Sequence, residues 1–156
     1  MLGPCVNGIS PFDKASVRTP RRGPRGMIRP MGESLSVLVA DDEPLLRRLM
    51  VRVLESDGLR VVAVENGDDA VRACADPTAP IAVVVLDVAM PGGGADALDR
   101  VLQARPGLGI VVTSGAAPEA GLRERLKAAG GQFLQKPFAP DALRRAVREA
   151  LPEGAA

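Results

Sequence analysis

The sequence predicts a doubly wound α/β domain in which five parallel strands alternate with five helices. Short β-branched runs alternate with stretches of helical periodicity from residue 35 to residue 151. One run, Ile81-Ala-Val-Val-Val-Leu86, is apolar without interruption, as in a central strand covered on both faces. Polar residues stand directly after the runs, at the strand ends where such sheets bind ligands. Parallel neighbours need crossover connections, so the alternation implies helices on both faces of one sheet.

The elements follow in order. Ser36-Val-Leu-Val-Ala40 reads as the first strand, and the helix after it places Leu45, Leu46, Leu49, Met50 and Val53 on one face. Arg60-Val-Val-Ala-Val64 is the second strand; Asn66-Gly67 with Asp68 and Asp69 is a start signal for a helix through Val71 and Cys74. The third strand, 81–86, precedes a helix marked by Leu98, Val101 and Leu102. Gly109-Ile-Val-Val-Thr113 is the fourth strand, and its helix, through Leu122, Leu126 and Ala129, stops at Gly130-Gly131. Gln132-Phe-Leu-Gln135 is the fifth strand, and the last helix carries Leu143, Ala146, Val147, Ala150 and Leu151.

Composition fits one ordinary domain: 156 residues, 46% hydrophobic and 25% charged. The chain has no His, which excludes a Ser-His-Asp triad, a His-Cys pair, a His-rich metal site and a histidine phosphodonor role. Phe12, Phe133 and Phe138 are the only aromatics, too few for a base-stacking surface. Cys5 and Cys74 lack metal-type spacing, and the expected setting is reducing and cytoplasmic. No apolar run is long enough to cross a bilayer or serve as a signal peptide.

The net charge of +1 hides an asymmetry. Residues 1–34 carry Lys14, Arg18, Arg21, Arg22, Arg25 and Arg29 against Asp13 and Glu33, a balance of +4 that leaves −3 for residues 35–156. Rich in Pro and Gly and without apolar periodicity, this segment is expected to be a disordered tail. Met27 and Met31 stand just before the folded part, so an over-extended start or an inert tail is preferred to a phosphate-binding role for its arginines. Residues 152–156 form a second, short tail.

Asp41, Asp42 and Glu43 follow the first strand, Asp87 the third, Ser114 the fourth and Lys136-Pro137 the fifth. Taken singly, Asp41 or Asp42 before Glu43-Pro44 reads as a helix cap, Asp87 as a cap or loop residue, Ser114-Gly115 as a turn and Lys136 as a solvated charge. Their joint position at one sheet edge favours a site instead. Gathered carboxylates repel one another unless a cation joins them, and a hard divalent ion such as Mg²⁺ suits oxygen ligands. A hydroxyl and an ammonium complete the parts for phosphoryl transfer, with Asp87 as the natural nucleophile.

These residues resemble the receiver domain of two-component response regulators, similar to single-domain chemotaxis-type regulators, over residues 35–151. Val-Leu-Val-Ala-Asp41-Asp42-Glu-Pro resembles the family's acidic motif, Val-Leu-Asp87-Val-Ala-Met-Pro91 its phosphoacceptor motif, Val-Val-Thr-Ser114-Gly its hydroxyl motif and Phe133-Leu-Gln-Lys136-Pro-Phe138 its lysine motif. The spacings, 45 positions from Asp42 to Asp87 and 22 from Ser114 to Lys136, are also those of the family. Thr113 is the rival for the hydroxyl role, one residue early.

The resemblance implies a flavodoxin-like fold and a phosphorelay function, with Asp87 taking a phosphoryl group from the phosphohistidine of a sensor histidine kinase or a histidine phosphotransfer protein. It implies Mg²⁺ bound by Asp42 directly, by Asp41 largely through water, by Asp87 and by the carbonyl of Ala89. Lys136 pairs with a phosphoryl oxygen, its bond to Pro137 is cis, and Ser114 with Phe133 switches the surface of helix four, strand five and helix five for a downstream protein. No activity is implied beyond self-phosphorylation from a donor and loss of that phosphoryl group. The sequence departs from the family at Pro91-Gly-Gly-Gly94, a glycine-rich loop one residue short and so expected to be mobile, and at Phe133, which lacks the hydroxyl of a Tyr. No output domain is expected after Ala156, so the phosphorylated surface itself, or relay to another protein, is expected to be the output.

Three alternatives compete. A phosphorylation-independent pseudo-receiver would be motivated by lost site residues, and none is lost. An aspartate-nucleophile phosphatase needs a second acid two residues after the nucleophile, where this chain has Ala89. Nucleic-acid binding would rest on the basic tail alone.

Overall fold

A computed structural model describes residues 36–90 and 94–152. The expected tail at 1–34, all but Pro152 of the expected tail at 152–156, and all but Gly94 of the loop 91–94 expected to be mobile lie outside the described residues. The strands are β1 (Ser36–Ala40), β2 (Arg60–Val64), β3 (Ile81–Asp87), β4 (Gly109–Ser114) and β5 (Gln132–Gln135). The helices are α1 (Pro44–Ser56), α2 (Gly67–Ala75), α3 (Gly94–Ala104), α4 (Ala120–Ala128) and α5 (Pro140–Ala150). All strand pairings are parallel, in the order β2-β1-β3-β4-β5.

Alternation along the central strands decides the two cores. Val37 and Val39 of β1, Val83 and Val85 of β3 and Val111 of β4 form one buried cluster with Met50, Val53 and Leu54 of α1 and Leu143, Ala146 and Val147 of α5. Leu38, Val84, Leu86, Ile110 and Val112 alternate with these and are equally buried, facing the opposite side, as period-two geometry requires. Each fully buried aliphatic side chain stabilises the fold by roughly 1.5–3 kcal/mol, so the valine-rich strands carry much of the core's weight.

Local signals fix the helix ends. Asn66 caps α2 by accepting from the Asp69 N–H at 2.8 Å, and Pro44 and Pro140 open α1 and α5 in the first turn. Gly130, at φ +66°, takes the left-handed conformation that ends α4 where the sequence predicts a stop.

Three expectations are corrected. The apolar stripe of α1 is wider than its buried face: Met50 and Val53 are buried, but Leu45 is 76% exposed and Leu49 48%. At 100° per residue those two leucines lie on the flank of the helix rather than over the sheet. β3 and β4 also run one residue further than predicted. The Val88 N–H donates to the Thr113 carbonyl at 3.1 Å and the Lys136 N–H to the Ser114 carbonyl at 2.8 Å, so the ladders extend through Asp87 and Ser114. Leu151 caps α5 instead of lying within it.

Candidate functional site

The chain leaves β1 in one direction, toward β2, and returns to place β3 on its other side, so the carboxyl ends of β1 and β3 flank the reversal point of the strand order. Asp41 and Asp42 come off β1 there and Asp87 ends β3. One carboxylate oxygen from each lies within 4.8 Å of the others, with Asp41 and Asp87 buried and Asp42 exposed.

Lys136, just beyond β5, spans the site. Its ammonium donates to Asp41 Oδ2 at 2.9 Å and to Asp87 Oδ2 at 3.0 Å. Burial works against the charge on Lys136, but the hydrogen bonds and charges of Asp41 and Asp87 outweigh it and hold the amine above the ordinary lysine value. The bond from Lys136 to Pro137 is cis, as the resemblance implies.

The remaining carboxylate oxygens are oriented by backbone. The Ala89 N–H donates to Asp87 Oδ1 at 2.9 Å, and the Glu43 N–H to Asp41 Oδ1 at 2.8 Å. Neither Asp41 nor Asp42 is the cap of α1; Glu43 holds that position with no side-chain bond. The Ser114 hydroxyl accepts from the Ala116 N–H at 3.2 Å. Ser114 is thus the last residue of β4 with its hydroxyl bonded into the turn that follows, and it alternates with Thr113, which is in register with Asp87. Phe133 is half-buried on β5, in register with Val112.

Two participants escaped the sequence reading, and a third, Thr113, was weighed there only for the hydroxyl role. Arg47 of α1 donates to the Asp41 carbonyl at 2.7 Å and lies 3.7 Å from Glu65, tying α1 to the ends of β1 and β2. Its place six residues after Asp41 is the only signal for it. Gly94 begins α3 so close to the end of β3 that a Cβ would lie 2.5 Å from the Asp87 carbonyl oxygen; among three consecutive glycines nothing singles it out. Thr113, fully buried, holds the peptide after Asp87 through its carbonyl.

The donor set suits a hard divalent cation. Three carboxylates against one ammonium leave the cluster with an excess of negative charge, all candidate ligands are oxygens, and a small ion relieves their mutual repulsion. The same geometry places the Asp87 carboxylate beside one ammonium, that of Lys136, which is able to neutralise an anionic group brought next to it.

Known proteins are similar to this chain. The family described as "Response regulator receiver domain" matches residues 37–148. The chain is 31% identical over 107 residues to the transcriptional regulatory protein AruR of Pseudomonas aeruginosa, covering 67% of this chain and 44% of that protein. It is 29% identical over 115 residues to the chemotaxis protein CheY of Thermotoga maritima, covering 72% of this chain and 94% of that one. The chain spans half or less of the length of several of the curated relatives it matches. Among solved structures, a receiver domain protein from Clostridium thermocellum superposes with a TM-score of 0.67 at 25% identity, covering 74% of this chain and 93% of that one. A receiver protein from Sinorhizobium medicae gives 0.63 at 28%, covering 76% and 94%. Among the described residues no helix is long and apolar enough to cross a membrane. With its acidic pocket, its bridging lysine and its five-stranded parallel sheet, the chain belongs to the response regulator receiver domain family.

Proposed function

We propose that this receiver is a phosphoacceptor in a two-component phosphorelay, with Asp87 as the residue that carries the phosphoryl group. The observation that supports this best is the closeness of Asp41, Asp42 and Asp87 beneath the ammonium of Lys136. Mg²⁺ would be held by Asp41, Asp42, Asp87 and the Ala89 carbonyl, and when bound it neutralises charge on the transferred oxygens.

A carboxylate oxygen of Asp87 attacks phosphorus, a P–O bond forms, and the P–N bond of the donor's phosphohistidine breaks with its electron pair passing to the imidazole. Asp87 is aimed by the Ala89 N–H, and Lys136 neutralises a phosphoryl oxygen. The Ser114 hydroxyl then leaves its turn for the phosphoryl group while Phe133 moves inward, altering the face of α4, β5 and α5 that meets a downstream protein. The donor is a sensor histidine kinase or a histidine phosphotransfer protein, the setting is cytoplasmic, and the chain acts on no separate substrate.

Intact-protein mass after incubation with acetyl phosphate tests this. One added phosphoryl group that requires both Mg²⁺ and Asp87, and is absent in Asp87→Ala, is the expected result. No gain in folded, Mg²⁺-binding protein would favour a phosphorylation-independent binding module, and a gain that survives Asp87→Ala would identify a different acceptor.

A further inference from the structure

Thr113 presents an unsatisfied polar group beside the site, in register with Asp87. It is fully buried, and its hydroxyl is a buried side-chain polar atom with no hydrogen-bond partner among the described residues. Leaving such a group unsatisfied is costly, and a Val of the same shape would avoid the cost. Its position gives the hydroxyl a use. In the parallel register Thr113 pairs with Asp87 on one side and Leu134 on the other, so its side chain shares their face of the sheet.

Lys136 follows β5, whereas its two partners belong to β3 and to the end of β1. Since β4 lies between β5 and β3, the lysine side chain has to reach across the carboxyl end of β4, where Thr113 pairs with Asp87 and the Ser114 carbonyl accepts from the Lys136 N–H, to meet them. An ammonium has three donors, and two of them are given to Asp41 and Asp87.

We propose that Thr113 is a positioning residue whose hydroxyl accepts a hydrogen bond from Lys136 as the ammonium turns from the Asp87 carboxylate toward an arriving phosphoryl group. The inference rests on the phosphoacceptor reading above. As the new P–O bond forms on Asp87 and the donor's bond to phosphorus breaks, the bond from Lys136 to Asp87 Oδ2 has to be given up. The Thr113 hydroxyl holds the ammonium at the level of the site during that exchange, while Asp41 keeps its own bond to Lys136. In the resting protein the hydroxyl is a cost; in the turned state it has a partner.

Thr113→Val and Thr113→Ser separate this role from simple packing. Uptake from acetyl phosphate with Mg²⁺ is followed by intact mass, with thermal melting of each protein measured alongside. Expected is a Val variant that melts at or above the wild-type temperature yet takes up phosphoryl roughly three- to tenfold more slowly, the loss of one hydrogen bond in the transition state. The Ser variant, which keeps the hydroxyl, should restore the rate to within about twofold even if it melts lower. A Val variant phosphorylated at the wild-type rate overturns the inference while leaving the phosphoacceptor reading intact. A Ser variant as slow as Val also overturns it, since the methyl rather than the hydroxyl would then matter. If wild type itself gains no phosphoryl group, both readings fall together.

Discussion

At its carboxyl end the sheet gathers three carboxylates and an ammonium, whereas at its amino end backbone meets backbone with no room for a Cβ. A Cβ on Gly109, the first residue of β4, would lie 1.9 Å from the Ala150 carbonyl oxygen at the end of α5. Nearby, Arg105 donates to the Ala79 carbonyl at 2.7 Å and to the Asp76 carbonyl, fixing the loop that enters β3. One end concentrates charges that would repel without partners; the other is closed by close approach and by carbonyls with donors. The contrast teaches that the two ends can be altered with different consequences: the amino end acts through close packing alone, the carboxyl end through the balance of buried charges.

The sharpest break in that contrast is Gly109→Val. With backbone rather than a flexible side chain in the way, α5 has to shift, and the fold should lose roughly 3 kcal/mol or more, read as a lower urea midpoint. A Gly109→Val protein as stable as wild type would show that the amino end is not close-packed. Lys136→Met tests the other end: Asp41 and Asp87 lose their counter-charge while still buried, at a cost of about 3 kcal/mol. Added Mg²⁺ should recover part of this stability, which it cannot do for Gly109→Val. Arg105→Gln removes charged donors from three carbonyls, those of Asp76, Ala79 and Ile81, and should cost about 2 kcal/mol without changing phosphoryl uptake; a loss of uptake at unchanged stability would couple the two ends.

A pH series sharpens the comparison further. Burial pushes the Cys74 thiol up to about 11, with Arg105 pulling the other way. The folded state therefore binds this proton more tightly than the unfolded chain, whose thiol titrates near 9. Its contribution is fully present below pH 9 and is lost as pH rises toward 11. Urea midpoints should fall over that window, and Cys74→Ala should flatten the fall. The smallest effect belongs to Asp42→Asn, which removes one exposed carboxylate from the cluster. Without metal it should raise stability by about 0.5 kcal/mol through relieved repulsion, and it should weaken Mg²⁺ binding in a calorimetric titration.

What the sequence made legible follows from the range of the forces involved. The strands were readable because Val, Ile and Leu runs must be buried on both faces of a parallel sheet, and Asn66 and Gly130 were readable because caps act within a turn. Asp41, Asp42, Asp87 and Lys136 could be singled out because each stands where an apolar run ends. The exposure of Leu45 and Leu49 was hidden, since periodicity shows an apolar stripe but not how much of it the sheet covers. Gly109 and Gly94 were hidden for a related reason: what they avoid belongs to segments remote in the chain or behind a turn. The unpartnered hydroxyl of Thr113 emerges only from strand register, which no local pattern encodes.

The ion pair that closes the site joins residues far apart in the chain. Lys136 stands 95 positions from Asp41 and 49 from Asp87. Contacts of such span form late, after the loop-closure entropy of the intervening chain has been met. During synthesis the two carboxylates emerge well before the ammonium that neutralises them, and β5 must dock on β4 before the lysine can reach across. Assembly of the charge cluster is thereby tied to completion of folding, so on the proposed phosphoacceptor reading a nascent or truncated chain lacking β5 takes up no phosphoryl group.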